Sequence, residues 1–288
     1  MKFVLAIGGN WYSGWEAIQK AVPEADQLGF LGFVMPDHYM WGPNMGGDST
    51  LDAWIALTYL AARTKNIRLG TLVTPIPFRS PSILAKMVSS LDRISQGRVV
   101  LGVGAGWSQV EFEGYSEWNE PKIRVDKTHE GLELILKLWQ EENPVSFSGS
   151  YYHAKNAVLD PKPSQRPHPP LLFGGAGSRM LKLAGQYADI CFIPPWAKGS
   201  PSSLKKIVLK EARLYGRETK VSFASLISLL SYPPSFAPKY DRQTYVDGAE
   251  TAKENGISYL IVPFSEEHYL DSINDFAQNI ISNFDDIK

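Results

Sequence analysis

Eight short apolar runs recur along the chain, and longer stretches with helical spacing separate them. This alternation constrains the fold more than any other feature, because it is typical of βαβ units built around a parallel sheet. The predicted strands span 3–8, 31–36, 67–74, 98–104, 170–174, 189–193, 220–228 and 257–263. The predicted helices span 14–28, 51–64, 81–95, 121–141, 177–186, 201–215, 242–254 and 267–283.

Eight strand and helix pairs are the number at which a parallel sheet closes on itself. We therefore predict an α/β fold of the (β/α)8 TIM-barrel type, with an open doubly wound sheet as the structural alternative. No Ser- or Gly-rich linker divides the chain, so 1–288 is predicted to form a single barrel domain. Segment 144–169 is rich in Pro, Ser and aromatic residues, which predicts a small β excursion and an extended segment before the fifth strand.

Composition excludes several classes of partner. With a formal net charge of −1, the chain offers no electrostatic case for nucleic acid or an anionic membrane as main partner. No apolar run approaches the roughly 18 to 20 residues that span a bilayer, and the first residues indicate a strand, so a cytoplasmic location is expected. Cys191 is the only cysteine, which excludes an internal disulfide, and its apolar neighbours indicate a buried thiol.

The loop after the second strand contains the first candidate residues. Active sites of such barrels gather at the C-terminal ends of the strands. Asp37, His38 and Trp41 occur there, followed by a Gly-rich stretch. A polar pair beside an aromatic ring suits the wall of a cofactor or substrate site, with His38 as proton donor or acceptor near neutral pH. The structural alternative is an Asp that caps a helix and a hydrogen-bonded loop His.

Alternating glycines mark the end of the fourth strand. Gly102, Gly104 and Gly106 place missing side chains on one face, which admits a ring or phosphate close to the backbone or permits tight packing inside the barrel. The pattern is not a dinucleotide fingerprint, because Trp107 stands where G-x-G-x-x-G requires glycine.

A second glycine-rich segment follows the fifth strand. Gly174, Gly175 and Gly177 lead directly into a predicted helix. Backbone amides at a helix N-terminus, together with the helix dipole, favour a phosphate group. A simple tight turn between strand and helix is the alternative.

Several other chemistries lack their motifs. The five histidines show neither His-x-His nor H-E-x-x-H spacing, so no metal site is predicted. There is no G-x-S-x-G nucleophile elbow and no Walker A loop. Glu111 and Glu113 suit a glycosidase only with an opposed carboxylate from a late strand, and the seventh strand runs into the acid-free LLSYPPS.

Five stretches together carry a family resemblance. They are PDHYMW at 36–41, RLGTLVTP at 68–75, SPSILAKMVSSLDRISQGRVVLGVGAGWSQVEFEGY at 80–115, PKPSQ at 161–165 and GGAGSRMLKLAGQYAD at 174–189. The chain resembles the luciferase-like monooxygenase superfamily, and more closely its coenzyme F420-dependent oxidoreductase branch. The resemblance implies a (β/α)8 barrel, usually dimeric, with a cofactor at the strand C-termini and a non-prolyl cis peptide at Thr71–Leu72.

The same resemblance implies roles for individual residues. Asp37 and His38 would line the ring or the substrate. The residues implied to contact the cofactor ring are Thr71, Leu72 and Thr74, and those implied to border the cofactor are Gly104, Ala105, Gly106 and Trp107. The residues implied to hold the cofactor phosphate are Gly174, Gly175, Ala176 and Gly177.

The sequence thus predicts an oxidoreductase in which F420 exchanges a hydride with a small apolar or aromatic substrate while His38 handles a proton. Trp41 and Trp196, with Trp107, predict an aromatic rim around the substrate. Sugar-phosphate dehydrogenases of this branch have a glutamate directly after the strand-four glycines, where this chain has Trp107, so a sugar phosphate is disfavoured.

Two alternatives remain open at this point. One is an FMN-dependent monooxygenase that uses reduced flavin and O2, which the compact 288 residues disfavour because such members often carry longer insertions. The other is a flavin-binding protein without turnover, against which the presence of Asp37 and His38 argues.

Overall fold

The strands and helices alternate along almost the whole chain. A computed structural model describes residues 1–7, 14–40, 51–227, 239–265 and 268–284. The strands are β1 Lys2–Ile7, β2 Gly32–Met35, β3 Arg68–Thr71, β4 Thr74–Pro75, β5 Val99–Gly104, β6 Val145–Ser148, β7 His153–Ala157, β8 Leu171–Phe173, β9 Ile190–Phe192, β10 Ser222–Leu226 and β11 Tyr259–Phe264. All eight predicted strands are present, and the third is interrupted between β3 and β4.

The helices lie where the spacing predicts them, with one addition. They are α1 Trp15–Gln27, α2 Ala53–Arg63, α3 Pro81–Ile94, α4 Gln109–Tyr115, α5 Pro121–Gln140, α6 Ser178–Tyr187, α7 Pro201–Leu214, α8 Arg242–Glu254, α9 Tyr269–Phe276 and α10 Ser282–Phe284, with a π-helical turn at Ala277–Ile281. Helix α4 was not predicted, because seven residues are too few for helical periodicity to be recognised. Within the described ranges, no helix combines the length and apolar character needed to cross a bilayer.

Local sequence explains where helices begin. Asp52 precedes α2, and its side chain accepts the Ile55 N–H at 2.9 Å. Ser200 does the same for Ser203 at 3.2 Å, and Pro201 begins α7 at the position where a missing N–H costs nothing.

Eight parallel strand positions close into a barrel. The hydrogen-bonded order is β3, β2, β1, β11, β10, β9, β8, β5, and β5 pairs back onto both β3 and β4. Since closure removes both sheet edges, the TIM-barrel prediction is confirmed and the open-sheet alternative is wrong.

Strand alternation divides the core into two layers. The barrel interior is lined by inward-facing residues such as Val4, Val34, Val100, Leu172 and Ile261. A larger cluster joins the outward strand faces to the helices. Successive residues of a strand point to opposite faces, and both faces are buried here, so the strands read as continuous apolar runs.

The predicted β excursion in 144–169 is an antiparallel hairpin of β6 and β7. Its turn is held to α5 by the Glu130 carboxylate, which accepts N–H groups of Ser150, Tyr151 and Tyr152 at 2.8, 2.7 and 2.7 Å. The hairpin therefore packs against α5, outside the barrel.

Cys191 is buried at 1% exposure, as its neighbours predict. Burial raises the pKa of its thiol to about 12, so the reactive thiolate is scarce at neutral pH. We expect native protein to resist a disulfide reagent such as DTNB at pH 8 and to release one equivalent of product only after denaturation. Stoichiometric labelling before unfolding would contradict this burial.

Asp26, near the end of α1, holds the loop that leads into β3. Its carboxylate accepts the N–H groups of Lys65, Asn66 and Ile67 at 2.9, 2.7 and 2.6 Å. Burial alone would raise the pKa of this carboxyl, but the three amide donors and nearby Arg98 together lower it below its ordinary value.

We expect Asp26→Asn to lower the free energy of unfolding by about 1–3 kcal/mol at pH 7, because the hydrogen bonds lose their charged acceptor. A folded-state pKa below the unfolded one gives stabilisation that is complete above the unfolded pKa and is lost as pH falls through the folded pKa. Urea unfolding from pH 7 to pH 3 should therefore show the difference from wild type narrowing at acid pH. A difference that stays constant over this range would contradict the assignment.

Candidate active site

Asp37 lies two residues beyond β2 and is fully buried. Arg79 contacts both of its oxygens, with Nη2 to Oδ1 at 2.9 Å and Nη1 to Oδ2. Trp54 Nε1 donates to Oδ2 at 3.1 Å, and the Thr74 hydroxyl lies 2.7 Å from the same oxygen. Burial alone would lower the pKa of Arg79, but Asp37 raises it above its ordinary value. The carboxylate is thus saturated and anchors the loop after β2 to the third strand.

The two threonines of the third strand extend this network. Because the Asp37 carboxylate can only accept, Thr74 Oγ1 donates to it, and the 3.0 Å contact between hydroxyls makes Thr71 the donor to Thr74. Thr71 Oγ1 in turn accepts the Gly102 N–H at 3.2 Å. Both threonine residues are fully buried, and their hydroxyls join the third strand to Asp37 and to β5.

His38 is oriented by a carboxylate from another loop. Its Nδ1 lies 2.6 Å from Glu111 Oε2, and both groups are buried. Glu111, on α4, also accepts the Tyr39 N–H at 2.5 Å. A carboxylate accepts hydrogen bonds, so Nδ1 carries the hydrogen and Nε2 carries the lone pair of the neutral ring. The loops after β2 and β5 are joined through this contact.

Aromatic side chains lie at the same end of the barrel. Trp107, after β5, is 55% exposed and meets the His38 ring edge to face with centroids 5.5 Å apart. Trp196, after β9, is 47% exposed and packs against Phe192. The third predicted rim residue, Trp41, lies outside the described residues. Trp107 thus adjoins the candidate proton-transfer group directly.

The interruption between β3 and β4 consists of Leu72 and Val73. The resemblance placed a non-prolyl cis peptide at Thr71–Leu72, and the structure corrects this to Leu72–Val73. A Cβ at Gly104 would lie 2.5 Å from Val73 Cγ2, and one at Gly174 would lie 2.9 Å from Val73 Cγ1. The Val73 side chain therefore fills a slot that two glycines leave open. Of the two interpretations of the strand-four glycines, close packing explains Gly104.

The loop between β8 and α6 presents backbone donors. Gly174 donates to the Val103 carbonyl at 2.9 Å. Within the part of the chain that the structure describes, the amides of Gly175, Ala176 and Gly177 donate no hydrogen bond. Gly177 is the N-cap of α6 without a side-chain cap, and Gly175 has φ of 113°, which favours glycine. Unpaired amides at a helix start are the donors that a phosphate accepts.

Comparison with known proteins identifies the family of this chain. Residues 5–229 match the family described as luciferase-like monooxygenase. This chain belongs to the luciferase-like monooxygenase family. The family predicted from the five sequence stretches is thereby confirmed.

Relatives of this luciferase-like protein carry several activities. An F420-dependent glucose-6-phosphate dehydrogenase of Microbacterium testaceum (strain StLB037) is 32% identical over 167 residues, which are 57% of this chain and 48% of that protein. The chain thus matches about half the length of this curated relative. A solved F420-dependent secondary alcohol dehydrogenase in complex with an F420-acetone adduct aligns with TM-score 0.81 and 24% identity over 98% of both chains. The monooxygenase RslO1 of Streptomyces bottropensis aligns with TM-score 0.77 and 19% identity over 99% of this chain and 100% of that one.

The predicted site residues occupy several different environments in this luciferase-like barrel. Asp37, Thr71 and Thr74 form the buried network, whereas His38 and Trp107 lie together at the strand ends. Leu72 is partly exposed on the interrupted third strand. The residues after β5 and β8 lie at the same end, with Gly106 pressed against Phe112 and Ala105 partly buried. Trp196 follows β9 and packs against Phe192.

Sequence reasoning missed Arg79, Val73 and Glu111. Glu111 was predicted only as a candidate glycosidase acid. The signal for its position is an acid seven residues beyond Gly104, the last residue of β5. Glu113 is exposed and accepts from Gln109 at 2.7 Å, so the two acids are not an opposed pair. Among the described residues, no group of three or more His, Cys, Asp or Glu is arranged to hold a metal.

Proposed function

We propose that this protein is an F420-dependent oxidoreductase that transfers a hydride between the deazaflavin and a small apolar or aromatic alcohol or carbonyl compound. The observation that carries the proposal is His38, which Glu111 orients beside an exposed Trp107 at the strand C-termini. The F420-dependent activities of two of the similar proteins support it.

Two features fit a phosphorylated deazaflavin. Unpaired amides of Gly175, Ala176 and Gly177 at the start of α6 suit its phosphate. The partly exposed side chains of Leu72 and Val73 offer an apolar support for a flat ring at the same end of the barrel. When bound, F420 supplies or accepts the hydride.

The protein's own residues supply orientation and proton handling. The hydrogen on Nδ1 is held by Glu111, so proton exchange with a substrate oxygen falls to His38 Nε2. Asp37 is a positioning residue, because its oxygens are occupied by Arg79, Trp54 and Thr74. Thr71 and Thr74 hold the third strand in place beneath Leu72.

Trp107 determines the substrate class in this proposal. An exposed indole against His38 offers a flat apolar surface, which suits an alkyl or aromatic group better than a sugar phosphate. The similar protein from Microbacterium testaceum is, by contrast, a glucose-6-phosphate dehydrogenase. Steady-state assays that follow F420 reduction should therefore give higher kcat/KM for cyclohexanol or benzyl alcohol than for glucose 6-phosphate.

Paired titrations of apoprotein with F420 and with FMN, read by tryptophan fluorescence, test the cofactor. We expect tight F420 and weak FMN binding, because the chain is similar to two F420-dependent proteins. The alternative is an FMN-dependent monooxygenase. The reverse preference, with substrate-dependent O2 uptake, would establish that alternative. Tight cofactor binding without turnover on any alcohol or carbonyl compound would indicate a non-catalytic flavin-binding protein.

A homodimer and a cytoplasmic location belong to the same proposal. Ile55 on α2 and Ile83 on α3 are 70% and 60% exposed, and these neighbouring helices would bury them against a second copy. Light scattering should give twice the mass of one chain for wild type, and Ile55→Glu with Ile83→Glu should give the monomer. Cell fractionation tests the location.

A further inference from the structure

A cavity of about 260 Å³ opens at the N-terminal end of the barrel, opposite to the candidate active site. Its lining includes the first residue of six strands, namely Lys2, Gly32, Arg68, Ile190, Ser222 and Tyr259. The volume exceeds that of an engineered cavity of about 150 Å³ that binds benzene. A molecule somewhat larger than benzene therefore fits.

Inward-facing side chains explain why this end is hollow. TIM-barrel interiors are usually filled by layers of bulky branched residues. Val4 and Ala224 face inward, so Lys2 and Ser222, two positions earlier on their strands, face inward as well. Ala224, Ser222 and Gly70 are small residues, and they leave the barrel interior unfilled at this end. The floor remains apolar, formed by residues such as Val100 and Ile261.

The mouth of this cavity carries excess positive charge. Arg68 and Lys220 are exposed, and in the described ranges their side chains make no hydrogen bond or ion pair. Lys2 Nζ lies 3.4 Å from the Tyr259 hydroxyl. The carboxylate at the mouth, Asp189, is neutralised by Arg217 at 3.3 Å. Three cations thus surround an apolar chamber.

We propose that this cavity binds a small amphiphilic anion, with its apolar body inside the barrel and its anionic head group at Arg68 and Lys220. Burial of the body provides most of the affinity, and the guanidinium and ammonium groups provide head-group selectivity through charge-assisted hydrogen bonds. The cavity shares no residue with the candidate active site, so the proposal does not depend on the proposed function.

Isothermal titration of the full chain with octanoate, octyl phosphate and 1-octanol tests the proposal. We expect one equivalent of octanoate or octyl phosphate to bind, and octanol to bind more weakly. Arg68→Ala with Lys220→Ala should weaken both anions at least about tenfold and leave octanol unchanged, since charge-assisted contacts are lost. The stronger of the two anions identifies the head group as carboxylate or phosphate.

Two further variants locate the binding. Ser222→Leu fills the mouth from β10 and should weaken all three probes, whereas Lys206→Ala with Lys210→Ala removes the same charge from the exposed face of α7 and should weaken none. Circular dichroism confirms that each variant is folded. The proposal is overturned if wild type binds neither anion, or if both anions bind undiminished to the Arg68 and Lys220 double variant or to Ser222→Leu.

Discussion

Replacement of Arg79 by Met is expected to lower the free energy of unfolding by about 3–5 kcal/mol, the usual cost of leaving one member of a buried ion pair without its partner. Asp37 is fully buried, and without Arg79 it keeps the donors Trp54 and Thr74 but loses its charged partner. Urea unfolding at pH 7, followed by circular dichroism, measures the change. An unfolding free energy within error of wild type would contradict the saturated-carboxylate assignment.

Two comparisons separate the ion pair from general loss of an arginine. Arg242 also contacts an aspartate, Asp275, through two nitrogens, but on the surface. Arg242→Met should change stability much less, because exposed pairs contribute little. Asp37→Leu combined with Arg79→Met removes both charges and should be more stable than Arg79→Met alone.

Replacement of His38 by Ala is expected to lower kcat about 10²- to 10⁴-fold with the best alcohol or carbonyl substrate, which is the usual contribution of a positioned acid–base group. F420 affinity should change little, because the proposed phosphate donors lie on the loop before α6. His153→Ala is the control, since His153 is an exposed hairpin residue far along the chain from the site. Unchanged turnover would remove His38 from proton transfer.

Glu111→Gln tests the positioning role separately. Glutamine can still accept from Nδ1 through its amide oxygen, but it provides no charge, and its amide nitrogen would face the Tyr39 N–H donor against donor. We expect kcat to fall while KM and F420 affinity stay near wild type. A purely structural role would instead lower thermal stability without changing kcat of the folded protein.

The sequence predicted the barrel because its signal is distributed over many residues. Each strand is a run of buried apolar residues, and errors of one or two positions at the ends do not alter the count of eight. Periodicity predicted 67–74 as one strand, because Leu72 and Val73 are apolar and periodicity does not record a change of direction. The family resemblance indicated the irregularity through its cis peptide but placed that peptide one bond too early.

The site was predictable in location but only partly in partnership. His38 and Trp107 could be assigned to strand ends from the local sequence. The partner of His38, Glu111, is 73 residues away in the sequence, and the partner of Asp37, Arg79, is 42 residues away. No local pattern encodes such pairs, since they depend on which loops closure of the barrel brings together.

The slot around Val73 links three positions that are distant in the chain. A side chain added at Gly104 or Gly174 meets Val73, so a larger residue at either glycine is compatible only with a smaller one at 73. Variation at these positions is therefore expected to be correlated rather than independent. In a library randomised at 73, 104 and 174, folded clones should conserve the summed side-chain volume, so position 73 on the interrupted third strand should co-vary with the end of β5 and with the residue after β8.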